Sequence, residues 1–149
     1  MSMTLLDAPE YDPNRDKRRR TRIISIVVLG LVILFLAWKY HNWPEEHAAD
    51  KFFHALQQQD YEGAYGLWLH DPDWKQHPDK NKLYKYADFY KDWGPGGEWG
   101  VVKSYDVYGS GTPRGGSSGV IVEVVVNGRY EHARLWVEKS DKTLGFSPD

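Results

Sequence analysis

The chain has 149 residues, 15% of them aromatic, with 7 Trp and 10 Tyr, so a disordered polymer is excluded and one domain plus a short appendage is the natural size. The formal net charge of −2 gives no global pull toward nucleic acid, and no nucleic-acid partner is expected. With Cys 0 there is no disulfide, thiolate nucleophile or zinc–cysteine site, so the fold must hold by core packing.

Residues 1–22 carry six Lys/Arg against four Asp/Glu together with Pro9 and Pro13, and read as a disordered, basic cytoplasmic tail. An uncharged run follows from Ile23 to Trp38. As a helix it spans roughly 24 Å at about 1.5 Å per residue, a little short of a bilayer core. Lys39 can extend it by snorkelling, and Trp38, Tyr40 and Trp43 suit an interfacial aromatic belt. A cleaved signal peptide would need small residues at its exit, whereas the exit here is Leu36-Ala37-Trp38-Lys39-Tyr40. A transmembrane helix over residues 23–40, in contact with the lipid bilayer through Ile23 to Trp38, is therefore expected. Lys17, Arg18, Arg19, Arg20 and Arg22 precede the run and only Lys39 follows it directly. The positive-inside rule then places the N-terminus in the cytoplasm and residues 41–149 on the periplasmic or extracellular side of the cell (inner) membrane.

In the remainder, Pro44-Glu45-Glu46 reads as a helix start, and Ala49, Phe52, Phe53 and Leu56 recur at helical spacing as far as about Gln58. Asp60 is placed to cap a second helix bearing Ala64, Tyr65, Leu67 and Trp68. A loop over residues 70–80 is broken by Pro72 and Pro78. A third helix is predicted from about Lys80 to Trp93, with Leu83, Tyr86, Ala87 and Tyr90 as its apolar stripe, and Gly94-Pro95-Gly96-Gly97 ends it. Strands are predicted over residues 99–108, 120–126, 129–139 and 143–146, with a Gly/Ser-rich loop over 109–119. Asn127-Gly128 signals a two-residue hairpin, which would pair Val126 with Arg129, Val124 with Glu131 and Glu123 with His132. Helices followed by an antiparallel meander make an α+β domain.

The segment Ala49-Asp50-Lys51-Phe52-Phe53-His54-Ala55-Leu56, followed by Asp60-Tyr61-Glu62-Gly63-Ala64-Tyr65, a third helix and a late hairpin, resembles the NTF2-like (cystatin-like, cone-shaped) α+β superfamily over about residues 45–148. That resemblance implies three N-terminal helices on a bent sheet of three to four strands. Its members include isomerase-type enzymes, ligand binders, transport factors and secretion scaffolds, so it does not by itself choose an activity. Isomerase-type members place a carboxylate base and a Tyr or acid donor in the cone. Asp88, Asp92, Tyr86 and Tyr90 are of those types, but no catalytic residue carries over by motif, and no cofactor is implied. A tail, one span and an exported domain also resemble the layout of type IV secretion inner-membrane scaffolds.

Several constellations have bland readings. His47, Asp50 and His54 share one helix face, as metal ligands can, but that face is opposite the core stripe and is expected to be hydrated. His70-Asp71-Pro72-Asp73 and His77-Pro78-Asp79 read as turn and cap chemistry, and no metal site is expected. Neither Gly94-Pro95-Gly96-Gly97 nor Gly115-Gly116 has the setting of a phosphate loop. Two regions remain as candidate sites. Tyr65, Trp68, Tyr86, Tyr90 and Trp93 could line a pocket for a small apolar ligand inside the cone. The face opposite the valines, with Glu123, Tyr130, His132, Arg134 and Trp136, has the aromatic and charged composition of an interface for a homodimer or an envelope protein partner. The sequence thus points to a membrane-anchored binding or assembly module, with a scaffold subunit of an envelope or secretion complex, or a small isomerase- or hydrolase-type enzyme using the cone pocket, as alternatives.

Overall fold

A computed structural model describes residues 13–148, and the chain divides into two compact units that meet between His41 and Asn42. The first contains α1 (Pro13–Lys39). The part of the expected disordered tail in residues 1–12 lies outside the described residues. From Pro13 the chain is helical, where a disordered tail was expected. Proline fits the first turn of a helix, and the Lys/Arg run that follows propagates it into the apolar segment. The helix is long and apolar enough to cross a membrane, and none of its apolar window is buried.

The second unit holds α2 (Trp43–Gln57), α3 (Tyr61–Leu69), two short 3-10 turns at Trp74–Gln76 and Pro78–Asn81, and α4 (Tyr86–Trp93). A four-stranded antiparallel sheet follows, in the order β1 (Tyr105–Gly111), β2 (Gly119–Val126), β3 (His132–Glu138), β4 (Leu144–Phe146). The unit is α+β, with the helices packed on one face of a meander.

Ala49, Phe52, Phe53 and Leu56 are all fully buried, as the spacing predicts. Asp60 caps α3 by accepting a hydrogen bond from the Gly63 N–H at 2.9 Å. Against them stand Val120, Val122, Val124, Val126, Ala133, Leu135 and Val137, one side of β2 and β3. Strand alternation thus separates a dry inner face from an outer one.

Three expectations are corrected. The helix predicted from about Lys80 begins only at Tyr86, because Pro78 opens a 3-10 turn and Lys85 is extended at ψ 159°. Leu83 is consequently fully exposed, and Ala87 and Tyr90 face outward. The inward stripe is Tyr86, Phe89 and Trp93, with Phe89 and Trp93 buried and Tyr86 half-buried. Residues 99–104 form a loop, so β1 starts at Tyr105 and continues to Gly111. Finally, the β2–β3 register differs by two residues from a two-residue hairpin: Glu123 pairs with Arg134, Val124 with Ala133 and Val125 with His132. Because the slip is even, every side chain from His132 onward keeps its face.

The slip enters after the turn, not in it, and the predicted two-residue turn itself forms. Asn127 and Gly128 both take positive φ, at 53° and 66°, as a type I′ turn requires, and the Arg129 N–H donates to the Val126 carbonyl at 3.0 Å. Asn127 does more than turn the chain. Its Oδ1 accepts from the N–H groups of Lys103 (2.7 Å) and Ser104 (3.2 Å), and its Nδ2 donates to the carbonyls of Trp99 and Val101. Arg129 donates to the Glu98 carbonyl at 2.8 Å and lies over the Trp99 ring. The 98–104 loop is thus bound to the hairpin tip, and pairing in β3 resumes only at His132.

Candidate functional site: the outer face of the sheet

None of α2, α3 or α4 covers the outer face of β2 and β3. Glu123 lies at its centre. Across the strands it is paired with Arg134, whose Nε is 3.4 Å from Glu123 Oε1, and His132 Nδ1 is 3.4 Å from Glu123 Oε2. A bulge between Val107 and Gly109 leaves Tyr108 as an extra residue in β1, and its ring approaches His132 at 4.6 Å. Tyr108 is 68% exposed. The same bulge turns Ser110 toward the helices, where its hydroxyl donates to Glu46 at 2.6 Å. Trp136, half-buried, lies on Gly119 and donates to Glu138 at 3.3 Å; a Cβ at Gly119 would collide with its indole.

Beside this cluster is a groove of about 480 Å³, lined by Tyr108, Thr112, Arg114, Ile121, Glu123 and Arg134 among others. Glu123, His132 and Arg134 are brought together as the sequence suggests, with Trp136 further along the same strand. Tyr130 is not: it falls in the connection before β3 and is fully exposed. Tyr108 and Arg114 were missed. Alternation along Tyr105-Asp106-Val107-Tyr108 could have placed Tyr108 outward, whereas Arg114 sits in a loop without any periodic signal.

The expected cone residues occupy the helix side. Tyr65, Trp68 and Trp93 are buried and surround Phe89, Phe52 and Phe53. Trp68 and Trp93 have ring centroids 5.7 Å apart, and Tyr65 and Phe89 are 5.2 Å apart. Tyr86 is half-buried against Trp74 at 5.3 Å, and Tyr90 is exposed, edge-on to Tyr61 at 5.2 Å. The interior is therefore occupied by interlocking rings. The Tyr65 hydroxyl donates to the Tyr84 carbonyl at 2.6 Å, and burial pushes its pKa up.

Asp88 and Asp92 are both exposed, Asp88 beside Lys91 and Asp92 accepting from the Tyr84 hydroxyl at 2.8 Å. Burial, then that carboxylate, pushes the Tyr84 phenol far above its ordinary value. Among the described residues Glu45 is the one buried charged side chain, and Lys142 Nζ pairs with it at 2.9 Å. The His47, Asp50, His54 face is open to water, with one contact to the sheet. Asp50 accepts from the Tyr105 hydroxyl at 3.0 Å because β1 runs beside α2, and burial followed by that bond pushes Tyr105 up to about 12. In the loop, Asp71 lies 2.8 Å from His77; burial raises its pKa, but the His77 contact and the Asp73 N–H outweigh this and hold it below the ordinary value. No group of three or more His, Asp or Glu among the described residues is placed to hold a metal.

No family model, curated protein or solved structure matches this chain.

Proposed function

We propose that the chain is a membrane-anchored, NTF2-like binding or assembly module, held in the cell (inner) membrane by α1 with residues 41–149 on the non-cytoplasmic side, and that it engages its partner through the outer face of the sheet. One observation carries this reading: the same strands that bury a row of valines inward present Tyr108, Glu123, His132, Arg134 and Trp136 outward, uncovered by the helices of their own unit. Tyr, Trp and Arg gathered on one open face around Glu123 are residue types enriched at interfaces. The cone side, filled with rings, leaves the outer face as the better place for a partner. The superfamily resemblance is supported by the order of elements, three helices and then a meander bent at a bulge.

A second copy of the chain is the first partner to test. Glu123 and Arg134 carry opposite charges on one cross-strand pair, so a two-fold axis through the face would set each against its counterpart. Tyr108→Ala with Arg134→Ala should weaken self-association or partner capture while leaving the fold intact. Unchanged association in the double variant counts against the reading. Replacing α1 with an unrelated span separates a scaffold, which would lose function if its span makes contacts, from a binder, which would keep it.

A further inference from the structure

Within the second unit, a recess of about 260 Å³ opens beside the start of α2. Its wall includes Trp43, His47 and Lys51 of α2, Leu67 of α3, His70 at the end of α3, and Lys142 in the β3–β4 turn. All four ionisable groups in that wall are lysine or histidine; no carboxylate lines it. Contacts hold two of the four side chains in place, and the backbone of a third is fixed. Lys142 donates to Glu45 at 2.9 Å and to the Lys139 carbonyl, which fixes its ammonium at the rim. The His47 ring stacks on Trp43, with centroids 5.0 Å apart and planes 5° apart. His70 closes α3 at φ 51°, a left-handed position where glycine or asparagine is the unstrained choice. Lys51 makes no ion pair with any described residue and is exposed.

Three carboxylates outside the lining act on the other three groups. Glu45 neutralises Lys142, Asp50 Oδ2 is 4.0 Å from His47 Nδ1, and Asp141 acts on His70. Lys51 therefore remains as the cation of the wall without an ion pair, and the imidazoles of His47 and His70 line the same recess. A lysine point charge and two imidazoles in a wall without a lining carboxylate are the chemistry that takes a phosphate group.

We infer that this recess binds the phosphate of an anionic phospholipid headgroup in the leaflet from which the domain emerges. The inference rests on α1 being a membrane span. Trp43 follows Lys39, the last residue of α1, by four positions, and four extended residues reach at most about 14 Å. Trp43, in the wall of the recess, is thus tethered within that distance of the end of α1, whichever side of the membrane the domain occupies. Trp43 is also the residue type that favours the headgroup layer. A soluble phosphate would offer the same group, but the short tether favours the lipid.

The test uses the full chain in neutral detergent micelles, with native mass spectrometry after addition of phosphatidylglycerol or phosphatidylcholine. Lys51→Gln with His70→Asn is the variant, since asparagine accepts the left-handed position. The wild type should retain phosphatidylglycerol over phosphatidylcholine by about fivefold, the effect of one well-placed cation at an anionic surface. The variant should lose that margin. The basic residues before α1 are common to both chains, so they cannot produce the difference. A preference unchanged in the variant, or absent from the wild type, overturns the inference. So does inorganic phosphate displacing the lipid at equal concentration, which would make this a soluble-phosphate site. Flotation of the wild type with phosphatidylcholine liposomes tests the span separately: lost flotation breaks the anchor reading, whereas flotation without headgroup preference breaks the headgroup inference alone.

Discussion

The two faces of one sheet are built from alternate residues of the same strands, and they do opposite things. Inward, Val122, Val124, Leu135 and Val137 are fully buried against Phe52, Phe53, Trp68 and Trp93. Outward, Glu123, His132, Arg134 and Tyr108 make hydrogen-bond and ring contacts of 3.4 to 4.6 Å that leave them open to water. Removing apolar area from water favours the folded state on the first face, whereas charges and exposed aromatics on the second add little to it. A face that adds little to stability and still concentrates Tyr, Arg, His and Trp is better explained by what it meets than by what it holds.

The largest expected effect is on the inner face. Phe52→Ala or Trp68→Ala should cost about 3–5 kcal/mol in chemical denaturation, against at most about 0.5 kcal/mol for Tyr108→Ala or Arg134→Ala. Comparable losses on the two faces would break the contrast. Trp93 sharpens it. Its buried Nε1 has no hydrogen-bond partner, so Trp93→Phe should cost far less than Trp93→Ala in the same measurement.

Next in size is the hairpin tip. Asn127→Asp keeps the acceptor and tolerates the positive φ, but replaces two donors with a charge facing the carbonyls of Trp99 and Val101. A loss of about 2–3 kcal/mol is expected from two broken bonds with unsatisfied carbonyls. A neutral outcome would mean that the 98–104 loop does not need the turn. Smaller again is Gly119→Ala, about 1–3 kcal/mol from the collision with Trp136. Combined with Trp136→Ala it should recover most of that loss, whereas simple additivity would deny the contact. For the same reason Trp136 is a poor lone probe of binding, since its removal also uncovers Gly119.

The smallest effect concerns pH. Tyr105 keeps its proton to about pH 12 in the folded chain, whereas an unfolded tyrosine loses it near pH 10. Between those values the unfolded state binds fewer protons, so this group's contribution is complete below pH 10 and fades as the pH rises toward 12. Asp50→Asn, which removes the charge beside the phenol, should move its ultraviolet titration to lower pH. An unmoved titration would leave burial as the whole cause.

Much of this contrast was legible in the sequence, and where it was not the reasons are specific. The Ala49, Phe52, Phe53, Leu56 stripe and the alternating valines are periodic, and periodicity reports burial directly. The outer cluster of Glu123, His132 and Arg134 could be read because a register error of two residues leaves parity untouched. The register itself could not, because the second role of Asn127, binding a loop some 25 positions back, leaves no mark on local spacing. Tyr130 was misplaced by that same slip. The stripe of α4 was misread because Leu83 matched the spacing, while the extended Lys85 delays the helix and puts Phe89 inward instead. Arg114 entered the groove through a loop, and loops carry no period.

The most direct test is the mass of the full chain in detergent micelles by multi-angle light scattering, for the wild type and for Tyr108→Ala with Arg134→Ala, beside their melting curves. A wild-type dimer that becomes monomeric in the variant with an unchanged melting temperature is the predicted result. A wild-type monomer, or a dimer that survives the double substitution, would contradict self-association through the outer face, and the surviving dimer would move the contact to another surface or to α1.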